Sequence, residues 1–76
     1  MTDEKNVATR DKILNAAERI FLEKGKNGTS MQMIAVEAGV NKAMLFYYFS
    51  SKDLLYKAVI KSKFTQMLGN IASVMH

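Results

Sequence analysis

The positions of the apolar residues along the chain predict a protein built of helices. From residue 9 to residue 24, apolar side chains recur at intervals of three and four, the spacing of one helical face, at Ile13, Ala17, Ile20 and Phe21. Thr9 is a residue type that caps helix N-termini, and Gly25 is a residue type that ends helices. The pattern therefore predicts a first helix over residues 9–24, preceded by a disordered arm over residues 1–8.

Two short helices are predicted next, separated by a glycine. Thr29 and Gln32 have the spacing of a capping box, and Ser30 is an equally suitable N-cap for the same helix. Gly39 ends this second helix, whose apolar face consists of Met31, Ile34, Ala35 and Ala38. Asn41 then has the side chain of an N-cap for a third helix over residues 42–49.

The third segment is also compatible with a different element. Residues 43–49 are seven consecutive apolar or aromatic residues, and periodicity alone does not distinguish a helix from a buried strand there. The cap at Asn41, the helix-forming residues 43–45 and the lack of β-branched residues favour the helix.

A fourth, longer helix is predicted from the capping pattern of Ser50 and Asp53. If it is helical to Met75, it spans about 35 Å at 1.5 Å per residue, which is more than a three-helix core needs to cover. Part of it should therefore protrude. We expect its apolar residues to pack on a further domain, a second copy of the chain, or both, and they are Phe64, Met67, Leu68, Ile71, Ala72, Val74 and Met75. The predicted fold class is all-α, with a three-helix helix-turn-helix domain over residues 9–55 and a long fourth connecting helix over residues 56–76.

Composition and charge exclude several classes of function. The chain lacks cysteine, which excludes disulfides, thiolate zinc sites and cysteine nucleophiles, and its start lacks the features of a signal peptide, so a cytoplasmic location is expected. No acid, base, nucleophile and metal-ligand set converges, and His76 is solitary, so we expect no enzyme activity, cofactor or metal. The whole net charge of +4 lies after residue 37, which indicates a polyanionic partner or, equally, a solvated surface.

The second and third helices have the spacing of a helix-turn-helix, a DNA-binding motif. Ala35 is small where the helices cross, Gly39 is suited to a turn with positive φ, and apolar residues that pin both helices stand at Ile34, Ala38, Val40 and Leu45. Once Leu45 and Phe49 are assigned to the core, the other face of the third helix presents Lys42, Ala43, Phe46 and Tyr47. In a major groove the lysine is suited to guanine or phosphate, the alanine and phenylalanine to thymine methyl groups, and the tyrosine to a phosphate oxygen. The alternative is that Phe46 and the tyrosines complete the core.

Lys52 gives a separate indication of an anionic partner. A cation in the first turn of a helix is unfavourable beside the helix dipole, and an anion bound there would offset this cost. Residues 29–30 and 50–52 both stand at helix N-termini, which bind anions through free backbone N–H groups. They are two candidate phosphate clamps that flank the third helix. The alternative is that Lys52 is an ordinary surface lysine.

The stretch from residue 9 to residue 59 resembles the amino-terminal domain of the TetR, or tetracycline-repressor, family. The resemblance rests on ILNAA at 13–17 with Phe21 and Gly25, on TSMQMIA at 29–35, on EAGVNKAMLFYYF at 37–49 and on SKDLL at 51–55. It implies a homodimer that places two reading helices in successive major grooves of a palindromic operator, usually as a repressor released by a small molecule. Inducer binding and dimer formation reside, in that family, in a larger carboxyl-terminal domain that we expect to lie outside these residues.

The resemblance also implies roles for individual residues. Base contacts are implied for Gln32, Lys42, Ala43 and Phe46. Phosphate contacts are implied for Thr29, Ser30, Tyr47, Tyr48 and Lys52. The chain departs from the family pattern at three positions, with Ala43 for glycine, Phe46 for tyrosine and Asn41 for serine, and Phe46 lacks the hydroxyl with which tyrosine would bind a phosphate there.

Two other function classes remain compatible with the sequence. The chain is also compatible with an interaction module that dimerises with, or titrates, a full-length regulator. Lys57, Lys61 and Lys63 beside apolar residues also form a basic amphipathic helix of the kind that lies on membrane surfaces, although this accounts only for the last helix.

Overall fold

A computed structural model describes the backbone of residues 2–74 and the side chains of residues 7–70. It contains four helices, α1 (Thr2–Lys24), α2 (Met31–Ala38), α3 (Lys42–Tyr48) and α4 (Lys52–Val74), and no strand within residues 2–74. The all-α prediction is confirmed. The strand interpretation of residues 43–49 is wrong, because α3 occupies most of that run.

The core is formed where all four helices meet. Each helix contributes one large side chain with no solvent exposure, and these are Ile13, Ile34, Leu45 and Leu55. Full burial of an aliphatic side chain of this size stabilises the fold by about 1.5–3 kcal/mol. Phe21 and Tyr56 add an edge-to-face ring contact between α1 and α4, with centroids 5.0 Å apart. The predicted apolar faces of the first three helices are therefore the faces that pack together.

Helix α1 begins at Thr2, seven residues before the predicted start. The predicted disordered arm over residues 1–8 and the predicted N-cap at Thr9 are therefore wrong, with Met1 lying outside the described residues. No glycine or proline separates Thr2 from Thr9, and threonine costs only a few tenths of a kcal/mol inside a helix, so nothing in the segment stops helix formation.

The turn between α2 and α3 is closed by hydrogen bonds at both ends. Gly39 adopts a left-handed conformation with φ 72°, its N–H donates to the Val36 carbonyl at 3.1 Å, and the Val40 N–H donates to the Ala35 carbonyl at 3.0 Å. These two bonds form a Schellman motif, which satisfies carbonyl groups that the helix end leaves free. Asn41 caps α3, because its Oδ1 accepts a hydrogen bond from the Met44 N–H at 2.7 Å. The predicted end of α2 and the predicted cap of α3 are both confirmed.

Helix α4 is capped one residue later than predicted. The Ser51 hydroxyl, and not that of Ser50, accepts a hydrogen bond from the Leu54 N–H at 3.2 Å, so the predicted cap at Ser50 is wrong. Neighbouring serines have the same capping chemistry, so the sequence does not distinguish them. Leu55, four residues after the cap, lies in the core.

The second half of α4 extends beyond the core, as predicted. Its large apolar side chains from residue 60 to residue 70 are about half exposed, and they are Ile60, Phe64, Met67 and Leu68. The side chains of residues 71–76, on which the rest of this prediction falls, lie outside the described residues. Within residues 2–74, no helix combines the length and the apolar character that crossing a bilayer requires.

Candidate nucleic-acid interface

Helix α3 is held by one face and presents the other to solvent. Leu45 is completely buried and Phe49, the C-cap residue, is nearly so. On the opposite side Tyr47 is 79% exposed, and Lys42 and Ala43 are also exposed. Lys42 is the first residue of α3, and no carboxylate among residues 7–70 neutralises its charge. The structure therefore brings the predicted reading residues of α3 onto one accessible face.

The aromatic residues of α3 divide between this face and the core. Phe46 is 41% exposed, so it does not complete the core in the way the alternative interpretation required. Tyr48 is half-buried and packs against the core cluster, while its ring meets the Tyr47 ring edge to face with centroids 5.2 Å apart. Tyr47 thus stands on the outer face with its ring oriented by Tyr48.

Met44 is an exposed residue of α3 that the sequence did not point out. Its side chain is 43% exposed and lines a shallow concavity with Asn41, Ala43, Tyr47 and Tyr48. At about 100° of rotation per residue, position 44 lies about 60° from position 47 around the helix, which is the signal that would have placed it beside Tyr47. The exposed face is thus broader and more apolar than the sequence predicted.

The N-terminus of α2 carries two further predicted residues. Ser30 is the N-cap of α2, with its Oγ accepting a hydrogen bond from the Met33 N–H at 3.2 Å. Because the oxygen accepts in this bond, the hydroxyl proton of Ser30 is still able to donate. Gln32 is exposed in the first turn of the same helix. The structure therefore settles the open choice of cap in favour of Ser30.

Thr29, for which the sequence predicted a phosphate contact, is held inside the loop between α1 and α2. Its side chain is buried, its hydroxyl donates to the Gly25 carbonyl at 2.6 Å, and its N–H donates to the Lys26 carbonyl at 3.3 Å. A phosphate oxygen needs a donor, and both donors of Thr29 are used inside the loop. Thr29 closes the connection between α1 and α2.

Lys52 joins the two predicted phosphate clamps. Its side chain crosses from the first turn of α4 to the Thr29 carbonyl, to which its Nζ donates at 3.0 Å. Lys26 and Asp53 form a second link between the same segments at 2.7 Å. The hydrogen bond and the charge of Lys26 hold the pKa of Asp53 below its usual value. The ammonium group of Lys52 has three donors, so the bond to Thr29 leaves donors for an anion.

An ion pair between Arg19 and Glu37 connects α1 to α2. Arg19 donates through Nε and Nη2 to one carboxylate oxygen of Glu37 at 3.1 and 3.0 Å. Both side chains are substantially exposed, so the pair contributes about 0–1 kcal/mol to stability.

Within residues 7–70, His, Cys, Asp and Glu side chains form no group of three that would hold a metal ion.

Comparison with known proteins relates the chain to one group of regulators. The family model described as "Bacterial regulatory proteins, tetR family" matches residues 13–59. The biofilm operon icaADBC HTH-type negative transcriptional regulator IcaR of Staphylococcus aureus (strain Newman) is 40% identical over 62 residues, which are 82% of this chain and 33% of IcaR. The HTH-type transcriptional regulator RutR of Escherichia coli (strain K12) is 46% identical over 54 residues, which are 71% of this chain and 26% of RutR.

A solved structure is similar in fold as well as in sequence. The crystal structure of a HlyIIR mutant protein superposes with a TM-score of 0.70 and 52% identity, over 71% of this chain and 30% of that one. The chain spans about a third or less of the length of these relatives.

Proposed function

The chain belongs to the TetR family of bacterial regulatory proteins, and from this premise we propose that it is a transcriptional regulator that binds a palindromic operator as a homodimer. The observation that carries the proposal is the exposed face of α3, which presents a cation and aromatic rings while Leu45 and Phe49 fix the helix from behind. A short helix held in this way is the element that helix-turn-helix proteins insert into the major groove.

Base contacts are proposed for four residues on α2 and α3. Lys42, at the start of α3, is suited to the O6 and N7 acceptors of guanine, and Gln32 to the paired donor and acceptor of adenine. Ala43 and Phe46 are suited to apolar contact with thymine methyl groups. Phe46 has no hydroxyl, so it serves here as an apolar contact only.

Phosphate contacts are proposed for Ser30, Tyr47, Tyr48 and Lys52. Ser30 and Lys52 keep unused donors while they hold α2 and α4 in place. The link from Lys52 to the Thr29 carbonyl supports one combined clamp, in which donors of both helix N-termini bind the same stretch of backbone. Such contacts set the position of the protein on the duplex without reading its sequence.

Repression is the direction of regulation that we infer, and it rests on the relative IcaR, which is a negative transcriptional regulator. We infer a cytoplasmic location, because the chromosomal DNA that such a regulator binds lies there. Release by a small-molecule inducer is proposed for the whole protein only, since the chain spans about a third of this relative.

The test is duplex binding measured across a salt series. Each phosphate that the protein neutralises should lower the logarithm of the association constant by about 0.9 per tenfold increase in salt. An association constant that does not change with salt would contradict DNA binding.

The two competing functions are tested in the same experiment. The exposed apolar residues of α4 beside Lys57 and Lys61 are the observation that favours a membrane surface, and vesicles of anionic phospholipid test it. Binding to vesicles without binding to duplex would favour that function. Association with a full-length regulator without binding to duplex would favour an interaction module.

A further inference from the structure

We propose that Arg10 is an additional DNA-backbone anchor, which binds a phosphate at the carboxyl end of the reading helix α3. Nothing in the sequence motifs assigned Arg10 a role. The proposal rests on the DNA-binding function above and adds a contact from α1, a helix that carries none of the proposed base or phosphate contacts.

The basic side chains of residues 7–70 fall into three groups. Four of them form ion pairs with carboxylates, and these are Arg19, Lys24, Lys26 and Lys63. Lys52 donates to a backbone carbonyl. The remaining five basic residues make neither kind of contact with residues 7–70, and these are Arg10, Lys12, Lys42, Lys57 and Lys61. These five positive charges are available to a polyanion.

Within this last group, Arg10 contacts the helix-turn-helix although it belongs to α1. Its guanidinium carbon lies 5.2 Å from the centre of the Phe49 ring, within the range of a cation–π interaction. Phe49 is the C-cap of α3 and is itself buried. A fixed ring therefore holds the guanidinium at the end of the reading helix, although Arg10 belongs to α1.

The position of this contact suits a phosphate. Phe49 and Lys52 are three residues apart, so their Cα atoms are separated by at most about 11 Å. Arg10 contacts the C-cap residue of α3 and Lys52 is the first residue of α4, so both border the same short loop, and one strand of a duplex carries a phosphate about every 3.4 Å along the helix axis. The guanidinium makes no hydrogen bond to residues 7–70, which leaves its planar set of donors for a phosphate.

A purely structural role for Arg10 makes a different prediction. A cation beside an aromatic ring and near a helix C-terminus stabilises the fold, and its removal would then lower the melting temperature only. A phosphate anchor also contributes to the salt dependence of DNA binding. The two roles are separated by measuring both quantities in the same variants.

The experiment compares Arg10→Gln and Arg10→Met with Lys12→Gln in the full chain. Arg10→Met keeps an apolar contact with the Phe49 ring through its thioether, which protects the fold if Arg10→Gln is unstable. Lys12→Gln removes the same charge from an exposed position of the same helix. The readouts are the slope of the logarithm of the association constant against the logarithm of salt, and the melting temperature by circular dichroism.

Arg10→Gln and Arg10→Met should each reduce the slope by about 0.9 per bound chain, and Lys12→Gln should reduce it by less than half as much. Arg10→Lys, which keeps the charge, should restore the slope. The proposal is overturned if Arg10→Gln and Arg10→Met keep the slope of the unaltered protein, if Lys12→Gln loses as much, or if Arg10→Lys fails to restore it. A flat slope for the unaltered protein would instead overturn the proposed function, so the two failures are distinguishable.

Discussion

The two faces of α3 have different physical tasks, although the helix has only seven residues. The inner face, with Leu45 and Phe49, is buried and holds the helix in the core. The outer face, with Lys42, Ala43 and Tyr47, makes few contacts within the chain and is exposed. A helix of this length is not stable alone in water, so the inner face supplies its order. Stability and binding should therefore respond to different substitutions in the same helix.

The largest expected effect is on the inner face. Leu45→Ala leaves a cavity at a completely buried position and should lower the free energy of unfolding by about 2–5 kcal/mol, measured by urea denaturation. The matched control is Tyr47→Ala, which is two residues away at a 79% exposed position and should lower it by at most about 1.5 kcal/mol, through loss of the ring contact with Tyr48. Equal losses in the two variants would show that the faces are not divided in this way.

The next effect is on the outer face. Lys42→Ala should weaken binding to the preferred duplex by about 1–3 kcal/mol, while the free energy of unfolding stays within about 0.5 kcal/mol. Lys52→Ala is the comparison, because it should weaken binding to all duplexes alike and flatten the salt slope by about 0.9. It should also destabilise the fold by about 0.5–1.5 kcal/mol through loss of the bond to the Thr29 carbonyl. A sequence preference altered by Lys52→Ala would contradict its assignment to a phosphate.

A smaller effect tests the turn that sets the angle between α2 and α3. Gly39→Ala forces a Cβ into a left-handed conformation with φ 72° and should cost about 1–2 kcal/mol. Gly69→Ala is the matched control, because Gly69 lies inside α4, where an added Cβ would meet no side chain or other segment within 4 Å beyond its chain neighbours. There the change should stabilise the protein by about 0.5–1 kcal/mol. Thermal unfolding measures both, and the same sign for the two variants would contradict this assignment of the turn.

The smallest effect concerns the link between Lys26 and Asp53 at the start of α4. This link lowers the pKa of Asp53 in the folded state below the usual carboxyl pKa of 3.8. The link therefore stabilises the fold above pH 3.8, and this stabilisation is lost as the pH falls through the lower pKa of the folded state. The melting temperature of the unaltered protein should therefore fall slightly further between pH 5 and pH 2 than that of Lys26→Met. Lys24→Met, which leaves Asp53 paired, is the control and should behave as the unaltered protein. Identical pH profiles for all three proteins would argue against the link.

Local sequence signals predicted most of the helices and the turn. The cap at Asn41, the break at Gly39 and the burial of Leu45 follow from residue chemistry and helical spacing, and the structure confirms them. The start of α1 and the cap of α4 were predicted wrongly, because threonine at position 9 and two adjacent serines give ambiguous local signals.

Contacts between distant segments were beyond prediction from sequence. The burial of Thr29 and the contact of Arg10 with Phe49 depend on how the helices pack, and no local pattern encodes them. The same holds for the bond from Lys52 to the Thr29 carbonyl, which joins residues 23 positions apart. The sequence therefore predicted α3 and the turn before it, whereas the packing of the helices determines the contacts that surround α3.

The most direct test of sequence reading by α3 is the selection of bound duplexes from a random pool, carried out with the unaltered chain and with Lys42→Ala. Reading by a homodimer predicts that the unaltered chain enriches a palindrome. Lys42→Ala should then relax the preference at one base pair in each half-site. A pool in which the unaltered chain enriches no sequence, or a palindrome that Lys42→Ala leaves unchanged at every position, would contradict the assignment of Lys42 to base recognition on the outer face of α3.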